Sequence, residues 1–211
     1  MEPVQGSSLR SILENKHAGA IEPGRDSLIL GQERHDLGRP GDVGYPVRGI
    51  FTGGYLFLHN FEPARWPMCD PVTGYLNTDG GPTKTEVLKQ NRVGVNHWIW
   101  ELDFGRRPAD ELYDLTHDPD CLANLAADPA YAKQREAMKD RLFASLREQH
   151  DPRMAGQGAI FDGYPHASPN RDFHGRWLKG EKLKANWVEP TDFESPSFDP
   201  ERPLAPKTGT P

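Results

Sequence analysis

The clearest alternation of apolar and polar positions lies between residues 46 and 60. It predicts two antiparallel strands joined at Thr52-Gly53-Gly54, where glycines supply the positive φ angles of a tight hairpin. Upstream, Asp26 to Gln32 reads as a strand whose continuous apolar run, Leu28-Ile29-Leu30, points to burial on both faces. Downstream, Leu112 to Leu115 supplies a further strand. From about Pro129 to Gln149 the period changes to that of a helix, with Tyr131, Met138, Leu142 and Leu146 on one stripe and Lys133, Arg135, Lys139 and Arg147 largely elsewhere. This stripe is expected to pack on the sheet.

The remaining segments carry weaker signals. Ser7 to Glu14 suits a short helix whose hydroxyls cap its first amides and whose Leu9, Ile12 and Leu13 share a face. His97 to Leu102 fits a short helix or a strand, since six residues do not fix a period. Residues 61–92, rich in Pro, Gly and Asp, read as a long loop laid on another surface. Beyond Asp151-Pro152 the chain turns aperiodic, and the proline-rich stretch from Pro190 reads as a wrapped arm or a disordered tail.

Composition narrows this picture. Within 211 residues, 20 Pro, 21 Gly and 36% hydrophobic content leave room for a small core with long irregular arms. The net charge is −6, and the basic residues are scattered among acids, which argues against a nucleic-acid surface. The two cysteines, Cys69 and Cys121, show neither zinc-ribbon nor disulfide-framework spacing, and a single bridge stays open. No apolar run is long enough for a membrane span, and the first residues lack the pattern of a secretory signal.

Three stretches together resemble a known family. They are Gln32-Glu33-Arg34-His35 after a strand, the hairpin from Pro46 to Asn60, and Glu111-Leu112-Tyr113-Asp114-Leu115-Thr116-His117-Asp118-Pro119-Asp120 with Asn124-Leu125-Ala126, leading into the helix that ends at His150-Asp151-Pro152. In this order they resemble the C-terminal portion of the sulfatases, on the heparan N-sulfatase (sulfamidase) branch that acts on glycosaminoglycans. The resemblance implies an α+β fold, a small antiparallel sheet packed against one long C-terminal helix with long irregular loops and an extended tail, the alkaline-phosphatase-like core being missing. On this division residues 1–152 form the C-terminal subdomain and 153–211 an extended or partly disordered tail.

Family chemistry implies a formylglycine made in a C-x-P-x-R motif, whose hydrate attacks sulfur beside a calcium ion. Attack through a hydrated aldehyde splits one hard step into two, because the sulfated intermediate collapses as the carbonyl re-forms. Cys69-Asp70-Pro71-Val72-Thr73 copies the Cys and Pro, but Thr73 stands where Arg is required. The expectation is therefore a chain without the nucleophile, inactive alone, with calcium and formylglycine in a missing N-terminal domain. Its partners would be a sulfated carbohydrate and a separately encoded or missing catalytic domain, with no nucleic acid and no membrane.

What this chain would bring is substrate contact. Glu33, Arg34 and His35 follow a strand end, where sheets present binding groups. In the resembled branch this region lies at the substrate pocket, with a His at the position of His35. Arg offers a planar fork to acidic oxygens and His a donor to hydroxyls. Arg48 heads the hairpin, directed either into the pocket or along the sheet to a carboxylate. The other histidines show no metal-ligand spacing, and Trp98, Trp100, Trp177 and Trp187 read as packing residues before a sugar-stacking platform. The alternative function is a non-catalytic carbohydrate-binding or interaction module derived from a sulfatase.

Overall fold

A computed structural model describes residues 6–19, 21–22 and 24–199. In chain order the elements are α1 (Arg10–Leu13), β1 (Ser27–Gln32), β2 (Val47–Thr52), β3 (Tyr55–Asn60), α2 (Pro82–Arg92), α3 (His97–Phe104), β4 (Asp110–Asp114), α4 (Ala132–Glu148), α5 (Ala159–Gly163) and α6 (Phe173–Leu178). They sort into two units. The first draws on the described parts of Met1–Gly31 with Arg48–His59 and Asp110–Gly158; the second draws on Gln32–Val47, Asn60–Ala109 and the described part of Ala159–Pro211. These units divide the chain differently from the sequence boundary at residue 152, because segments distant in sequence alternate between them.

The first unit is the small open antiparallel sheet with its long helix. Strand order is β1-β2-β3-β4. Gly53 (φ 58°) and Gly54 (φ 81°) close the β2–β3 hairpin. Two successive left-handed residues match the twist of the flanking strands, and few side chains tolerate that pair of angles. β3 and β4 pair antiparallel, with Phe57 opposite Leu112 and His59 opposite Asp110. One face of the sheet, through Ile50, Phe57 and Leu112, meets the α4 stripe of Met138, Leu142 and Leu146, and all six are buried. Each such side chain contributes roughly 1.5–3 kcal/mol relative to exposure, which is why the stripe, and not helix propensity, fixes α4 here.

α4 ends where His150 adopts φ 56°. The Asp151 amide then donates back to the Leu146 carbonyl at 2.9 Å and the His150 amide to Arg147 at 3.0 Å, closing the last turn. Asp151 in turn accepts from the Arg153 amide at the start of the next short turn.

β1 corrects the sequence reading. The apolar run predicted burial on both faces, yet Leu28 is 59% and Leu30 37% exposed, and Ile29 alone of the three packs against the core cluster. β1 is an edge strand, so the covered face takes only the alternate residue. α1 is likewise a single short turn with Leu9 and Leu13 exposed.

The second unit corrects the long-loop reading of residues 61–92. Pro82–Arg92 is an α-helix, with Pro82 in the first turn, where its missing amide hydrogen costs nothing. Its buried stripe is Lys84, Leu88 and Asn91. The segment does not wait for an absent domain to lie on; Met68, Cys69, Tyr75, Leu76 and Leu88 all enter buried clusters of this unit. α3 resolves the helix-or-strand alternative, burying Trp100 and Phe104 beside Tyr75.

From Ala159 onward the described part of the tail packs into the same unit. Phe173 is fully buried, and Trp177 stacks on Phe193 with ring centroids 4.4 Å apart. Asp192 is wholly buried and pairs with Lys84 at 3.1 Å, and Lys84 also donates to the Gly74 carbonyl at 2.9 Å and to Thr78 at 2.7 Å. Residues 200–211, the end of the expected tail, lie outside the described residues.

Candidate functional site

Of the residues the sequence singles out, Arg34 occupies a cleft. In the second unit it lines a cavity of about 450 Å³ together with Asp42, Asp162, His166, Arg171 and Arg176. Arg34 donates through Nη1 to the Asp42 carbonyl at 2.9 Å and through Nη2 to the Tyr164 carbonyl at 2.8 Å, so its fork ties two walls of the cleft together. Glu33 is half-buried and His35 exposed beside it. Asp36 follows, and burial raises its carboxyl above the ordinary value, while the Leu37 amide and the neighbouring His35 and His166 rings pull it back.

The floor of the cleft rests on a strained turn. Gly41 and Asp42 both have left-handed backbone angles, φ 68° and 54°. Asp tolerates this conformation better than most side chains. Asp42 is 8% exposed; its Oδ2 accepts from the Asp172 amide, and its Oδ1 has no hydrogen-bond donor. His166 Nδ1 accepts from the Ser168 amide at 3.0 Å, which leaves the ring proton on Nε2 in the neutral form. Arg176 is committed to Glu181 and to the Pro169 and Arg171 carbonyls. Asp162 accepts from the Gly44 amide and from Arg65. The cleft is therefore a mixed surface of guanidinium donors and carboxylate acceptors, suited to a ligand that carries both hydroxyls and acidic oxygens.

Arg48 belongs to the first unit. Its Nε donates to Asp151 Oδ2 at 2.7 Å, with both side chains near 10% exposure. Of the two directions the sequence left open, the one to a carboxylate is filled. The same unit holds a second polar cluster, in which Asp110 accepts from Lys139 at 2.8 Å and contacts His59 Nδ1 at 2.7 Å. Burial alone would raise the Asp110 carboxyl, but these two partners outweigh it and hold the pKa below the usual value.

Asp42, His166 and Arg171 were not legible as site residues. His166 and Arg171 lie in an aperiodic stretch, and Asp42 follows a Pro-Gly pair that signals only a turn. Pro40-Gly41-Asp42 and Pro169-Asn170-Arg171-Asp172 were the available hints, both readable as ordinary loop chemistry.

The sulfatase-like nucleophile motif is structural here. Cys69 is fully buried, donates to Asn77 Oδ1, and its thiol is pushed up to about 12 by burial. Asp70 caps the turn that follows by accepting from the Val72 amide, and Thr73, buried, reaches the Gly38 carbonyl at 2.8 Å. Cys69 and Cys121 are both free. Among the described residues no group of three His, Cys, Asp or Glu side chains is placed to hold a metal ion. Nor is any helix there long and apolar enough to cross a membrane. Trp100 is buried and Trp177 and Trp187 pack on a core cluster, whereas Trp98 is 56% exposed.

No protein-family model matches the chain. Among curated proteins, the human N-sulphoglucosamine sulphohydrolase is 26% identical over 161 residues, which is 75% of this chain and 29% of that protein. The chain thus spans 29% of the length of the curated relative it matches. Among solved structures, that of BT4656 in complex with its substrate D-glucosamine-2-N,6-O-disulfate aligns with 70% of this chain and 21% of that one, at 18% identity and a TM-score of 0.39. The likeness to the sulphohydrolase supports the resemblance to a sulfatase C-terminal portion on the sulfamidase side.

Proposed function

We propose that this chain supplies substrate-pocket residues to a sulfatase that hydrolyses sulfate esters or N-sulfate groups of a carbohydrate. Glu33, Arg34 and His35 make the contacts. Arg48 holds the hairpin of the first unit to Asp151. The formylglycine and calcium of the resembled family would come from the rest of the enzyme and would supply, respectively, the nucleophile and a cation to offset charge on the sulfuryl oxygens. Two facts support this reading: the curated relative is named for hydrolysis of N-sulphoglucosamine, and Cys69, the nearest copy of the nucleophile motif, is a buried, protonated thiol.

The observation that carries the substrate class is the cleft around Arg34. Arg34 ties two of its walls together through the Asp42 and Tyr164 carbonyls, and the Arg171 guanidinium is presented at the rim among acceptors of hydroxyl hydrogens. A purely catalytic acid–base site would instead gather titratable groups around one point.

The reading is tested by sulfate release. The chain alone, with calcium and N-sulphoglucosamine, is expected to release no sulfate above blank, and calcium-dependent turnover would overturn the assignment of the nucleophile to another part of the enzyme.

A further inference from the structure

We infer that the cleft binds an acidic sugar unit in a fixed orientation, with Arg171 taking the acidic group and the Asp42 and Asp172 carboxylates accepting hydrogens from its hydroxyl or amine groups. The inference rests on the sulfated-carbohydrate reading for its ligand class and adds the residues that select the ligand.

Accounting for every charged group on the cleft wall leads to these three residues. Arg34 spends its fork on the Asp42 and Tyr164 carbonyls. Arg176 is held by Glu181 and two backbone carbonyls, and Asp162 by Arg65 and the Gly44 amide. Arg171, by contrast, is exposed at the rim, and its guanidinium has no hydrogen bond or ion pair among the described residues. An unpaired guanidinium at a concave rim presents five donors in a plane, the geometry that matches two oxygens of a sulfate or carboxylate.

The opposite character sits beside it. Asp42 is more than nine-tenths buried and lines the cleft, yet Oδ1 lacks a donor, an arrangement rare for a buried acceptor without a ligand or solvent partner. Asp172, the next residue after Arg171, is exposed, and its side chain does not cap the helix it precedes. His166 adds an Nε2 donor from the wall. The cleft thus offers one unmet cation, the unmet Oδ1 of Asp42, the exposed Asp172 carboxylate and one ring donor in about 450 Å³, a volume that accommodates a sugar unit. A simple anion would leave the carboxylates unpaired and repelled; a neutral sugar would leave Arg171 unpaired. A sugar that carries an acidic group satisfies both.

Two acidic groups share this chemistry, a sulfate and a uronic carboxylate, and the test separates them. The 211-residue chain is titrated with glucosamine 6-sulfate, glucuronic acid or glucose while the arginine Nε–Hε signals are followed by NMR. Wild type is expected to bind glucosamine 6-sulfate with a shift of the Arg171 signal, and glucose at least about tenfold more weakly. R171Q is expected to lose about tenfold in affinity for the acidic sugar, R171K less, and D42N or D172N to lose affinity without abolishing the Arg171 shift. Arg171 has no structural partner, so R171Q leaves the fold intact and its result is readable on its own.

Equal binding by wild type and R171Q would overturn the assignment of Arg171 while leaving the sulfated-carbohydrate reading standing. Binding of glucuronic acid alone would uphold the cleft residues and count against the sulfated substrate. Equal binding of glucose, or no binding of any probe by wild type, would overturn the inference.

Discussion

Arg48 on the hairpin and Asp151 just past the long helix are joined by a 2.7 Å ion pair in which both side chains are near 10% exposure. The pair ties β2 to the C-terminal end of α4, and Asp151 also starts the next turn. Removal of one partner leaves a nearly buried charge without compensation, which costs about 3–5 kcal/mol. R48M is therefore expected to lower the unfolding free energy by about 3 kcal/mol, and R48M/D151L to recover part of the loss. Urea denaturation of the single and double variants checks this, and additive losses would show that the two side chains do not act together.

Lys84 makes the same point inside the second unit. Its ammonium, 3% exposed, is matched to Asp192, 0% exposed, and to three backbone carbonyls. Burial lowers its pKa, and Asp192 opposes that effect. K84M is expected to destabilise by about 3 kcal/mol or more, since Asp192 is left charged and unpaired. Hydrogen exchange in α2 is the readout: loss of protection there is the expected result, and unchanged protection would show that Lys84 does not hold the helix.

Acid is expected to weaken the first unit through Asp110. Its folded pKa lies below the ordinary carboxylate value, against the push of burial, because Lys139 and His59 hydrogen-bond to it. A depressed carboxyl contributes stability that is full above its unfolded pKa, about 3.8, and is lost as pH falls through the lower folded value. The urea midpoint of wild type is therefore expected to drop below about pH 4, and D110N to show a shallower drop over that window. Parallel pH profiles would contradict the assignment.

How much of this was legible in sequence follows from what side chains reveal. The hairpin and α4 were readable because Gly53-Gly54 and the Met138–Leu142–Leu146 stripe each satisfy a local rule with apolar or glycine residues. α2 was not, because its buried stripe is Lys84, Leu88 and Asn91, so a polar pattern covers a core helix. β1 misled in the opposite direction: Leu28 and Leu30 are apolar yet exposed on an edge strand. At the site, Arg34 was marked by its place after a strand, whereas Asp42 and Arg171 gained their chemistry only when residues distant in sequence met around one cleft.

Calorimetric titration of the chain with an N-sulfated glucosamine disaccharide and with its desulfated counterpart tests the proposed substrate contact most directly. The account predicts that the sulfated sugar binds more tightly and that R34Q and H35Q each weaken it by about tenfold, with the desulfated sugar little affected. Equal affinity for the two sugars, or unchanged binding by both variants, would contradict it.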